Sequence, residues 1–84
     1  KNMALSPEDA AMLYLLADTE FRQGKLLEAR AFAQRRDALG DDAATLDLAA
    51  RIEAAAGDRG AEARYRQRLG DAFPAYVPTG ATTP

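Results

Sequence analysis

The sequence has no cysteine, no histidine and no tryptophan among its 84 residues. Those absences exclude a thiol nucleophile, a disulfide framework, a Cys/His zinc site and histidine-based acid–base catalysis. Lysine occurs only at Lys1 and Lys25 and serine only at Ser6, so carboxylates, tyrosines and arginines carry whatever chemistry the chain has. An excess of one charge is lacking too. Eleven Lys+Arg stand against 13 Asp+Glu, and a net charge of -2 makes no general field to draw nucleic acid. No apolar run approaches the roughly 18 residues of a membrane span, and no basic start leads into the apolar stretch of a secretory leader. Lys1 opens the sequence, which reads as a fragment or processed piece of a longer protein. Missing cysteine suits an oxidising compartment.

What is present is alanine. The apolar share of 48% is ordinary, but it includes 20 alanines, so the chain offers a thin, helix-favouring core. A domain this short buries a low fraction of its surface and gains from stacking repeats on one another. Breakers divide the chain into four helical segments. The first starts at Ser6-Pro7-Glu8-Asp9, where a cap, an N-terminal proline and two acids suit a helix start, and runs to about Gln23 before Gly24. Its apolar residues Met12, Leu13, Leu15, Leu16 and Phe21 cover more than one stripe, which predicts an inner helix packed on two sides. A second helix spans about Lys25 to Leu39 and stops at Gly40. Asp41-Asp42 offers a cap for a third, about Ala43 to Ala56, whose large apolar residues are Leu46, Leu48 and Ile52. Gly57 closes it, Asp58 caps a fourth, and Ala61, Tyr65, Leu69 and Phe73 recur along one face of that helix before Pro74. Pro74 to Pro84, rich in Pro, Thr and Gly with Tyr76 and Val77 as anchors, is expected to be a flexible tail.

The breakers are periodic. Gly24 and Gly57 lie 33 residues apart, Pro7 precedes the first by 17 and Pro74 follows the second by 17. Self-similarity at this period indicates stacked helix hairpins, hence an all-α fold. The pattern resembles the tetratricopeptide repeat, a helical hairpin of about 34 residues with a glycine between its helices. On that resemblance Leu13, Leu16, Ala17, Phe21 and Ala29 take signature places in the first unit. Leu46, Ala49 and Ala50 do so in the second, with either Ala61 or Ala63 as the small residue of its second helix. Asp41 stands where the closing proline of the first unit belongs. The division expected is a leading stub at 1–6, one hairpin at 7–40, a second at 41–74 and the tail at 75–84.

A narrower resemblance rests on Phe21 to Gly24 (FRQG), Glu28-Ala29-Arg30, Gln34-Arg35, Ala50-Arg51-Ile52, Gly57-Asp58-Arg59, Ala61-Glu62-Ala63, Tyr65 and Phe73-Pro74. In that order and spacing they are similar to the last two repeats of the type IV pilus biogenesis and stability proteins, the secretin pilotins. Ala56, where that family has a leucine, departs from it. The resemblance implies a protein-interaction scaffold in the periplasm that assists assembly or localisation of the pilus secretin at the outer membrane. The lipid-bearing cysteine and earlier repeats of that family lie outside this sequence, so no membrane insertion by this segment is implied. The alternative is a generic pair of tetratricopeptide repeats that caps a longer array or self-associates through exposed repeat ends.

Tetratricopeptide arrays bind partners on a concave face made by the first helix of each hairpin. The resemblance places Ala11, Tyr14, Leu15, Asp18, Phe21 and Arg22 there from the first unit, and Ala44, Asp47, Leu48, Arg51 and Ala55 from the second. The candidate partner-binding residues are Tyr14, Asp18, Phe21, Arg22, Asp47 and Arg51. Asp18/Arg22 and Asp47/Arg51 are also acid-before-base pairs four apart, which stabilise a solvated helix without any ligand. Tyr14 could equally pack on a neighbouring repeat. Arg59, Arg64, Arg66 and Arg68 fall on different sides of a helix and form no stripe, and Glu62 stands four before Arg66, so a solvated face is expected there rather than a nucleic-acid site. Neither catalysis nor a metal or other cofactor is expected. Helix capping accounts for Glu8-Asp9 and Asp41-Asp42, and the Gly-rich phosphate loop is missing.

Overall fold

The computed structural model describes residues 7–77, which fold as four helices and, among the described residues, no strand: α1 (Pro7–Arg22), α2 (Leu26–Asp37), α3 (Ala43–Ala56) and α4 (Arg59–Ala72). The leading stub 1–6, Ser6 included, and the tail from 78 onward lie outside the described residues.

Local chemistry sets the boundaries. The α1–α2 and α3–α4 turns close the same way, with a glycine in the left-handed region (Gly24 at φ 79, Gly57 at φ 86). The amide of the next residue then reaches back five positions, Lys25 N–H to the Glu20 carbonyl and Asp58 N–H to the Glu53 carbonyl, both at 2.9 Å. Two orphan carbonyls are satisfied by the same device 33 residues apart. The Asp42 carboxylate caps α3 by accepting from the Thr45 amide at 3.0 Å and the Thr45 hydroxyl at 2.7 Å. Asp58 caps α4 by accepting from the Ala61 amide at 3.0 Å. At the start of α2, Lys25 provides no side-chain cap.

The chain is all-α and stacks as two hairpins, an arrangement compatible with a tetratricopeptide-like pair. α1 packs on α2 and α3 on α4, while α3 also lies along α2 and touches α1. The buried core comprises Ala17, Ala29, Ala33, Leu48, Ala49 and Ile52, with Tyr14, Phe21, Phe32 and Tyr65 packed around it. Ala61 is buried and Ala63 exposed, which fixes the register of α4. Ala61 and Leu69 are buried and Tyr65 and Phe73 half-buried, so the four-residue stripe faces inward.

The inner helix is α3, not α1. Thr45 to Ala50, Ile52 and Glu53 are all buried in α3, whereas α1 buries only Ala17 among its described side chains. Met12 and Leu15 remain more than half exposed.

Charged side chains tie the hairpins together. Arg30 of α2 grips Glu53 of α3 with two bonds, Nε to Oε2 at 2.9 Å and Nη2 to Oε1 at 2.6 Å. Arg68 of α4 forks onto Asp37 of α2 at 3.0 and 2.9 Å and also reaches Asp41 at 2.7 Å. The hydrogen bonds to these carboxylates raise both guanidinium pKa values above the usual arginine value, so each stays a cation. Glu62 pairs with Arg59 at 3.1 Å rather than with Arg66, which turns inward to α3.

Candidate protein-interaction surface

Tyr14 sits in the middle of α1 on the side that meets α3. Burial raises its pKa, and the nearby Asp18 carboxylate adds to the effect; Arg51, Asp47 and Tyr76 complete the charged and titratable groups around it. Its phenol therefore remains a protonated hydrogen-bond donor across the neutral range. Tyr76 reaches this face because the chain turns after α4, its amide donating to the Phe73 carbonyl at 3.0 Å. Its side chain is half-buried there.

Beside Tyr14 the surface forms an open depression of about 510 Å³, lined by Ala10, Ala11, Tyr14 and Leu15 of α1, Arg36 of α2, and Asp42 and Ala44 at the start of α3. Small residues make it. Alanines at 10, 11 and 44 leave room that larger side chains would fill, and Leu15 is 55% exposed at its wall. The polar end lies farther along α3. Asp47 is 1% exposed, with its Oδ1 accepting from Arg66 Nη1 of α4 at 2.6 Å. Its Oδ2 has no hydrogen-bond partner and lies 3.4 Å from Arg51 Nη2. Arg51 Nε is likewise buried without a partner. A buried carboxylate thus organises two guanidiniums while one acceptor and one donor stay unspent.

The six candidate residues have separate fates. Tyr14, Asp47 and Arg51 come together where α1 meets α3, with Asp18 close enough to act on Tyr14. Asp18 and Arg22 form a solvated pair at 2.9 Å, with the Arg22 side chain 77% exposed. Asp47 is no solvated helix charge, since α4 closes over it with Arg66. Phe21 is half-buried and packs against the core. Of the other residues placed on this face, Ala11, Leu15 and Ala44 line the depression, Ala55 is exposed, and Leu48 is fully buried in the core instead.

Sequence reasoning missed Arg66, Arg36, Asp42 and Tyr76. A usable signal existed for Arg66, which stands about as far after the Gly57-Asp58 turn as Asp47 stands before it. In a hairpin such positions face each other.

A second cleft, of about 360 Å³, opens between α2 and α4 and is lined by Arg30, Gln34, Glu53, Asp58, Ala61, Arg64, Tyr65 and Arg68. Its charges are mostly engaged: Arg30 is held by Glu53, and Arg68 by Asp37 and Asp41 while its guanidinium lies 5.7 Å from the Tyr65 ring centre. Among the described residues no cluster of acids could hold a metal ion, and no helix is long and apolar enough to cross a membrane. No protein-family model matches the chain, and neither a curated protein nor a solved structure matches it.

Proposed function

We propose that the chain is a protein-interaction scaffold of tetratricopeptide type, whose α1/α3 face receives a segment of another protein. The observation that carries this reading is the continuity of that face. A depression lined by Ala11, Leu15 and Ala44, and by the paired Arg36 and Asp42, passes through Tyr14 into the Asp47–Arg51–Arg66 cluster. Rigid helices hold the groove open, so a docking segment bears the ordering cost alone. The arginines Arg59, Arg66 and Arg68 are each paired with carboxylates of the fold, which argues against a nucleic-acid partner.

At the finer level, the motifs from Phe21 to Pro74 support a place among the pilotin-like proteins of type IV pilus biogenesis. In that role the partner is the pilus secretin and the setting the periplasmic side of the outer membrane, with any lipid anchor carried elsewhere in the parent protein. Surface plasmon resonance with purified secretin over the immobilised chain tests both levels. Binding that Tyr14→Ala with Arg51→Ala weakens supports both, and binding they leave unchanged removes the groove. An absence of binding to the native chain removes the secretin assignment.

A structural role as repeats in a longer array has its own support in Met12 and Leu27, 56% and 76% exposed on hairpin one. Light scattering over a dilution series tests its self-associating form: concentration-dependent mass that Leu27→Asp abolishes favours it, and a constant monomer mass counts against it.

A further inference from the structure

Asp47 and Arg51 are unusual in what they leave undone. Buried polar atoms are nearly always paired. Here the Asp47 side chain is 2% exposed, and one of its oxygens makes no hydrogen bond. Arg51 approaches that oxygen only to 3.4 Å and keeps its own Nε unpartnered. Arg66 holds the other oxygen at 2.6 Å, so Asp47 stays fixed whether or not Arg51 remains against it. The local charge is unbalanced as well. One carboxylate serves two guanidiniums, and the nearby Asp18 is already engaged by Arg22 at 2.9 Å. Arg51 is therefore a loosely held cation, 38% exposed, whose planar set of donors suits an oxygen anion. Tyr14 stands between this cation and the apolar depression, with a protonated hydroxyl as a further donor.

We infer that the segment docking in this groove is acidic and apolar together: a carboxylate side chain received by Arg51, next to an aliphatic or aromatic residue seated over Ala11, Tyr14, Leu15 and Ala44. This rests on the groove-binding function proposed above and names the chemistry of its partner. On docking, Arg51 turns from Asp47 to the incoming carboxylate while Arg66 retains Asp47. The depression falls within the size range, about 300–1,000 Å³, of sites that take up ligand groups.

The test is a selection of displayed random peptides on the immobilised chain, its Arg51→Gln and Arg51→Lys variants, and Leu15→Glu, each checked for helicity by circular dichroism. The native chain is expected to enrich peptides with Asp or Glu close to Leu, Ile, Phe or Met. Changing that acid to its amide weakens binding by about tenfold or more, the size of one charge-assisted hydrogen bond. Arg51→Gln shows the same loss, Arg51→Lys a smaller one, and Leu15→Glu removes binding. Enriched peptides without acids, or a loss confined to a variant that no longer folds, overturn the carboxylate inference and leave the groove standing. No enrichment on the native chain or on a Tyr76→Ala variant included in the same selection overturns both. Enrichment that appears only with Tyr76→Ala assigns the groove to the chain's own tail. A concentration-dependent dimer that Arg51→Gln dissolves assigns it to a second copy. Either result overturns the inference.

Discussion

The two hairpins are built on one pattern and end in opposite states. The α1–α2 unit carries more large apolar residues, yet it buries only alanines, Ala17, Ala29 and Ala33, and exposes Met12, Leu15 and Leu27. The α3–α4 unit is richer in alanine in its first helix, yet it buries Leu46, Leu48, Ile52 and Leu69 together with Thr45, Asp47 and Glu53. Both of its helices are capped by aspartates, while α2 begins without a side-chain cap. Burial therefore follows position in the stack, not apolar content. α3 has neighbours on both sides, so even its small and charged side chains are enclosed, while α1 has α2 and only the edge of α3.

The sharpest way to break this comparison is to cut matched side chains in both units. Ile52→Ala or Leu48→Ala, each removing a fully buried side chain, is expected to cost about 2–5 kcal/mol in urea unfolding followed by circular dichroism. Met12→Ala or Leu27→Ala should stay within about 0.5 kcal/mol. Equal costs in the two units would sink the account of α3 as the inner helix.

The Arg30–Glu53 bond comes next, because its two ends are unequally buried: 31% of the arginine side chain is exposed against 5% of the glutamate. Arg30→Met strands a buried carboxylate, whereas Glu53→Gln leaves an arginine that can turn to water. The arginine variant should have the lower melting temperature at neutral pH, and equal melting temperatures for the two variants would refute the account.

Capping gives a smaller contrast. Asp58→Ala and Asp42→Ala should each lose about 1 kcal/mol, while Lys25→Asp should gain up to a similar amount by giving α2 the cap it lacks.

The smallest effect is alkaline and separates one tyrosine of each unit. Burial raises the pKa of both Tyr14 and Tyr65 above 10.0, helped by Asp18 in the first case and by Asp37 and Glu53 in the second. Above about pH 10 the unfolded chain releases these protons while the folded chain retains them. Stability present below that pH is then lost as pH rises through the folded values. Tyr14→Phe and Tyr65→Phe should each flatten the fall in urea midpoint, and a fall unchanged in both would refute the assignment.

Much of the architecture was legible because its causes are local. Gly24 and Gly57, the aspartate caps at 42 and 58 and the stripe from Ala61 to Phe73 act within five residues of themselves, so spacing alone reveals four helices and a hairpin period. The candidate site was legible in part. The repeat resemblance put Tyr14, Asp47 and Arg51 on one face, where the fold does bring them together, but whether Asp47 meets water depends on Arg66, 19 residues away. Leu48, placed on the same face, turned into the core because helix positions one residue apart point about 100° from each other.

The sequence by itself determined the helices, their ends and their pairing in hairpins, through backbone hydrogen bonds that close over four or five residues. Only the tertiary structure decided which helix lies inside, that Arg30 and Arg68 lock the hairpins together, and that one buried carboxylate leaves Arg51 loosely held beside Tyr14. Those outcomes depend on side chains 19 to 31 residues apart in the chain: Arg66 meets Asp47 when α3 and α4 close as a hairpin, and Arg30 and Arg68 reach Glu53 and Asp37 only when one hairpin stacks on the other.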